Sequence, residues 1–175
     1  MSNKDKFELK DDEQKVLDQL KSNSNKSINK IAKNCGFSRQ KVWRIIKKFE
    51  KENTVWGYPA IVDEETEELN YYIILLKRNS VPIPKTAVNH IVSRTIDEKI
   101  KEIDCEMITS LYTNGFYDWL IIFTAPDIVK AKKVSELFRT KYRGILKEVH
   151  LMETIFPVKV QGIINPDIER LNNFF

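Results

Sequence analysis

The chain has 175 residues, of which 42% are hydrophobic and 31% charged, the balance of a folded soluble protein rather than a disordered one. Its apolar runs, such as 71–76 and 119–123, fall far short of the roughly 18 residues of a membrane helix, the first six residues lead into no signal-peptide core, and two distant cysteines, Cys35 and Cys105, make neither a disulfide framework nor a cysteine-based zinc site. The net charge of +4 hides a division: residues 1–60 hold 14 Lys and Arg against 8 Asp and Glu, whereas residues 61–175 hold 15 against 17.

Before residue 60 the periodicity is helical. Residues 11–21 carry Val16, Leu17 and Leu20 at helical spacing, with Asp11, Asp12 and Glu13 in the first turn, where the macrodipole favours acids. Ser22-Asn23-Ser24-Asn25 is a polar break. Ser27 is placed to cap a short helix over 28–34 that turns Ile28, Ile31 and Ala32 inward. Gly36 then permits a tight turn, Phe37 points inward, and Ser38 caps a third helix over about 39–52, with Val42, Ile45, Ile46 and Phe49 on one face.

Helix, short helix, glycine turn and helix is the helix-turn-helix order, in which the last helix enters the major groove. At 100° per residue its outward face carries Gln40, Arg44, Lys47 and Lys51, flanked by Lys48 and Trp43. Between residues 22 and 53 there are nine basic residues and two acidic ones, the electrostatic footprint of a nucleic-acid-binding module or, more plainly, a solvated helix face. Arg39, Gln40 and Arg44 are expected to read base edges, and Ser27, Ser38, Lys41, Lys47 and Lys48 to complete the DNA-binding set, largely through phosphates. Trp43 is expected to pack, since large aromatics are usually mostly buried; the alternative is a contact with the DNA backbone. Residues 54–62 are β-prone, with Pro59 suited only to an edge, and would supply the wing.

Asp63-Glu64-Glu65-Thr66-Glu67-Glu68 is a self-repelling run that reads as a surface connector. Beyond it a strand is predicted over 71–77. A helix with a stripe of Val88, Ile91, Val92, Ile96, Ile100 and Ile103 follows, then a strand over 107–112. Asn114-Gly115 signals a hairpin returning through 116–124. A helix opened by Pro126-Asp127 and a last strand over 148–156 complete the order. This β-α-β-β-α-β order is the ferredoxin-like plan, with helices on one sheet face. The other face needs a partner; Tyr72, Ile74, Leu76 and the apolar half of 116–123 are the candidates to meet it, most simply in a homodimer. The predicted fold class is α+β: a winged helix-turn-helix domain over 1–62, an acidic linker over 63–69, a βαββαβ ligand-binding and oligomerisation domain over 70–162, and a tail over 163–175.

These residues resemble the Lrp/AsnC family, the feast/famine transcriptional regulators of bacteria and archaea. The likeness runs from Leu9-Lys10-Asp11-Asp12 through Ile31-Ala32-Lys33-Asn34-Cys35-Gly36-Phe37-Ser38 and Val42–Glu50 to Gly57-Tyr58-Pro59-Ala60. In the second unit Gly115-Phe116-Tyr117-Asp118 resembles the Gly-x-Tyr-Asp of the family's regulatory domain. The resemblance implies a cytoplasmic, sequence-specific regulator that binds double-stranded DNA as a homodimer and assembles further into tetramers or octamers, without a metal or other cofactor. It also implies an amino-acid effector at an interface near Asn114, Gly115, Tyr117 and Asp118. From the residues alone, Gly115 lets an N–H approach an anion and Asp118 can accept from an ammonium; equally, Asn114-Gly115 closes a hairpin and Asp118 caps an interface hydrogen bond. The stretch 79–104 is longer than the family pattern, and the tail, ending Leu171-Asn172-Asn173-Phe174-Phe175, is apolar enough to dock on a neighbour.

Two other readings compete. One is a ligand-sensing or interaction module without specific DNA binding, against which stand the outward Gln40 and Arg44. The other is a haem-processing enzyme on the same scaffold; it needs histidines and arginines at an interface, but His90 and His150 lie in different elements and no nucleophile–histidine–acid set or Gly-rich phosphate loop is visible. No enzymatic activity is therefore expected.

Overall fold

The computed structural model describes residues 9–175, so the opening hexapeptide weighed as a signal sequence and the first residues of the predicted DNA-binding domain lie outside the described residues. The chain folds as two compact units that divide between Ala60 and Ile61. Among the described residues no helix is long and apolar enough to cross a membrane.

The first unit holds α1 (Asp11–Ser22), α2 (Ile28–Cys35) and α3 (Arg39–Lys51) around Val16, Leu20, Ile31, Ala32, Val42, Ile45 and Phe49. Each helix begins where a side chain satisfies an otherwise orphaned N–H. Glu13 accepts from the Lys10 N–H (3.3 Å), Ser27 from Lys30 N–H (3.3 Å) and Ser38 from Lys41 N–H (3.2 Å). Gly36 ends α2 in the left-handed region (φ 69°), which lets the Phe37 N–H reach the Ala32 carbonyl at 2.9 Å and turns the chain into α3.

The predicted wing strand over 54–62 is not formed. Thr54 and Val55 only return their N–H groups to the Phe49 carbonyl, and Trp56 is 93% exposed with its indole N–H on the Asn53 carbonyl. An extended segment becomes a strand only beside another, and Pro59 has no N–H to give to one.

The second unit is a four-stranded antiparallel sheet, β1 (Asn70–Arg78), β2 (Glu106–Tyr112), β3 (Trp119–Ala125) and β4 (Leu146–Glu153), in the order β2-β3-β1-β4. With α4 (Lys85–Val92), α5 (Thr95–Lys101) and α6 (Ile128–Lys141) this is the α+β, ferredoxin-like plan expected. Several particulars differ from expectation. Tyr72, Ile74 and Leu76 do not face a partner: they pair with Phe123, Ile121 and Trp119 and are buried with Val134, Phe138, Ile96 and Ile100 of the helices. The open face carries Tyr71, Ile73 and Leu75, beside Leu120 and Ile122. Residues 71–76 are apolar on both faces, so their alternation carries no phase, and a one-residue shift exchanges the faces.

The single helix expected after β1 is broken at Arg94, whose φ of 56° bends the chain between α4 and α5 and whose guanidinium holds Asp97 at 2.9 Å. Val88 and Val92 are consequently exposed, while Ala87 is buried in their place. Asn114-Gly115 does not form a two-residue turn. The loop spans 113–118 and is closed by the Thr113 N–H on the Asp118 carbonyl (2.8 Å) and the Thr113 hydroxyl on the Tyr117 carbonyl (2.6 Å), so β3 starts at Trp119 and not at Phe116.

The acidic run is folded into the second unit rather than spacing it. Glu64–Glu67 is a 3-10 turn capped by Asp63, with Glu64 accepting from the Tyr71 hydroxyl at 3.0 Å. The tail boundary at 162/163 falls inside a small hairpin of β5 (Lys159–Val160) and β6 (Ile163–Ile164). A 3-10 turn, Ile168–Phe174, folds back so that Arg170 pairs with both oxygens of Glu65 at 3.0 Å and Phe174 meets Phe156.

Candidate nucleic-acid interface

The exposed face of α3 follows from its capping and its buried stripe. Ser38 fixes the first turn, Val42, Ile45 and Phe49 are buried, and Arg39, Gln40, Trp43, Arg44 and Lys47 are therefore left in solvent. Among the described residues Arg39, Gln40 and Arg44 make no ion pair and no side-chain hydrogen bond, which leaves their planar donors available. Ser27 and Ser38 accept from the first turns of α2 and α3 and remain exposed, so each hydroxyl hydrogen and each helix N-terminus is open to an anion. Trp43 does not pack as expected. It is 51% exposed between Gln40 and Lys47 on the same face, because the positions that reach the core are already filled by Val42, Ile45 and Ile46.

The lysines separate into two kinds. Lys41 forms an ion pair with Asp12 of α1 and lies 4.1 Å from the centre of the Phe37 ring. Lys48 reaches Glu13 of α1 at 2.7 Å and Glu52 at 3.9 Å. Glu13 is only 7% exposed, and the Lys48 ammonium holds its carboxyl below the ordinary range despite burial; the same bond pushes Lys48 upward. Both lysines therefore join α3 to α1. Lys47 pairs with Glu50 at 2.6 Å on its own helix, an exposed partnership that water and a phosphate can each replace.

In the second unit Asn114, Gly115 and Phe116 are exposed at the loop tip, and Tyr117 and Asp118 are half-buried at its base. Asp118 ties the loop to the end of β1: its carboxylate accepts from the Arg78 N–H at 2.8 Å and its own N–H donates to the Leu76 carbonyl at 2.9 Å. The Tyr117 ring meets His150 edge-on at 5.7 Å, and His150 bonds Glu148 at 3.0 Å, a contact that lowers the Glu148 carboxyl. Lys77 sits 3.4 Å above the centre of the Phe116 ring.

Residues 13–55 match the family model described as winged helix-turn-helix DNA-binding. No curated protein matches the chain. Among solved structures, a transcriptional regulator from Neisseria meningitidis crystallised with L-methionine aligns at a TM-score of 0.66 and 16% identity, over 96% of this chain and all of that one. An AsnC family transcriptional regulator from Agrobacterium tumefaciens aligns at 0.63 and 19% identity, over 91% and 98%. The leucine response regulatory protein of Mycobacterium tuberculosis aligns at 0.67 and 14%, over 87% and 97%. The fold, a helix-turn-helix unit followed by a βαββαβ unit, is thus the one these proteins have over 87–96% of this chain.

Proposed function

We propose that the chain is a DNA-binding transcriptional regulator of the Lrp/AsnC type, acting in the cytoplasm as a binding protein and not as an enzyme. The observation that carries this reading is the solvent-facing row of Arg39, Gln40 and Arg44 at the N-terminal end of a capped α3, unengaged by the protein's own carboxylates. Arginine and glutamine present the bidentate donors that read guanine and adenine edges. Ser27, Ser38 and Lys47, with the N-termini of α2 and α3, hold phosphates; Lys41 and Lys48 act behind them by fixing the angle of α3 on α1. Trp43 joins the reading face as an apolar contact to a thymine methyl.

The regulator works as a homodimer joined through the open sheet face of Ile73, Leu75, Leu120 and Ile122, with assembly into tetramers or octamers beyond it. Its effector is an amino acid held at an interface by Asn114, Gly115, Tyr117 and Asp118. The Neisseria relative's complex with L-methionine supports that class of ligand, and the exposed loop tip over a fixed Asp118 supports the place. The effector acts by binding two assemblies with different affinity.

Fluorescence anisotropy on a duplex from upstream of the protein's own gene, against a scrambled duplex and across a salt series, tests the reading. A preference for the native duplex with affinity falling steeply as salt rises is expected. Absence of binding to either duplex would transfer the weight to a sensing module.

A further inference from the structure

We propose that the second unit carries a binding site for a small apolar amine, separate from the loop at 114–118, in a half-open cavity of about 300 Å3 bordered by the acidic turn, the start of β1 and the C-terminal segment. Its walls are mainly apolar, with Leu69, Ile155, Val160 and Ile163 among them, and its size lies at the lower end of the roughly 300–1,000 Å3 range of small-molecule sites. The ionisable groups on its lining are Asp63, Glu64, Glu65, Tyr71 and Asp167; no lysine, arginine or histidine is among them. The lining therefore carries carboxylates and no cation, with Arg170 outside it on Glu65. A free carboxylate ligand, or the carboxylate of an amino acid, would meet repulsion without a donor to match it, whereas a single ammonium on an apolar body meets both features of the lining.

The carboxylates are held in place before any ligand arrives. Asp63 caps the 3-10 turn through the Glu65 N–H at 3.2 Å, Glu64 accepts from Tyr71, and Glu65 is taken by Arg170 of the tail. Burial and the neighbouring Glu64 push the Tyr71 phenol up to about 12, so it stays a neutral donor and keeps Glu64 in place through the physiological range. Arg170 is taken by Glu65 and also acts on Asp167 and Asp63, which leaves Glu64, bonded only to the Tyr71 hydroxyl and outside every ion pair among the described residues, as the carboxylate for the amine. A divalent cation is the poorer occupant: among the described residues no three His, Cys, Asp or Glu side chains converge into a metal-holding group. The C-terminal segment supplies Ile163, Ile164 and Asp167 to the wall.

The site is independent of whether the first unit binds DNA, and so is its test. Isothermal titration calorimetry of the full chain with 2-phenylethylamine is compared with 3-phenylpropionate and 2-phenylethanol, which share the ring and differ in charge. Saturable binding of the amine is expected, with the alcohol weaker and the acid not bound. Glu64→Gln keeps an acceptor for Tyr71 but removes the charge, and is expected to weaken the amine about tenfold while leaving the alcohol unchanged. Val160→Trp fills the cavity and is expected to abolish amine binding with the thermal melt retained; if that variant does not fold, Glu64→Gln decides. Failure of the amine to bind, equal binding of all three probes, or an amine affinity indifferent to Glu64→Gln would overturn the proposal.

Discussion

On α3 a one-residue difference in position separates two jobs that composition makes look alike. Lys47 is on the exposed face with Gln40 and Arg44, whereas Lys48, one position on, has turned 100° around the axis and reaches the buried Glu13 of α1. Arg44→Ala is expected to cost the preferred duplex about tenfold or more in affinity with little change for scrambled DNA, as loss of a bidentate base contact would; Trp43→Ala should act in the same direction at A·T positions. Anisotropy on single-base variants of the site checks both. The Glu13–Lys48 pair predicts a pH dependence of stability with a definite sign. Glu13 is lowered from 4.5, so its contribution is present above the unfolded value and is lost as pH falls through the folded one. Lys48 is raised from 10.5, so its contribution is present below that value and fades as pH rises through the folded one. The first unit should therefore lose stability below about pH 4.5 more steeply than its Glu13→Gln variant, measured by thermal melts at stepped pH.

At the scale of elements, caps and turn residues were legible wherever one residue type satisfies one local need. Ser27, Ser38 and Gly36 stand where the pattern put them because a cap or a left-handed turn is decided within four residues. Gly36→Ala tests this cleanly. An added Cβ meets nothing within 4 Å, so the cost is backbone strain alone, about 1 kcal/mol, read from a urea melt with an unchanged helical spectrum. The wing segment, the break at Arg94 and the Asn114-Gly115 turn read differently in sequence because each depends on a distant partner. A strand needs a neighbour; the 113–118 loop, closed locally by Thr113, is tied to the end of β1 by Asp118 bonding Arg78, forty residues away in the chain. The helix break is fastened by Arg94 reaching Asp97 and, across to β2, the Ser110 hydroxyl.

Across the whole molecule, the sheet presents an apolar face that the helices do not cover. Ile73, Leu75, Leu120 and Ile122 lie on it in register, while the residues first expected there are spent on the internal core. Ile122→Lys should dissociate the proposed dimer without unfolding the chain, because the side chain is not among the core residues; sedimentation velocity and the thermal melt read the two separately. Ile121→Lys, its neighbour on the other face, should abolish folding instead, since Ile121 is fully buried.

The order of the main elements, the division between a basic helical unit and an α+β unit, and a third helix with Arg39, Gln40 and Arg44 outward were all determined by the sequence itself. They rest on periodicity, capping and charge, which act over a turn of helix or a few strand residues. The tertiary structure alone decided which face of a doubly apolar strand is inside, which lysines are taken by carboxylates of another helix, and that an acidic run and a C-terminal segment meet around a cavity. Those outcomes depend on contacts between residues far apart in the chain, such as Arg170 with Glu65, and no local pattern records which pairs packing will bring together.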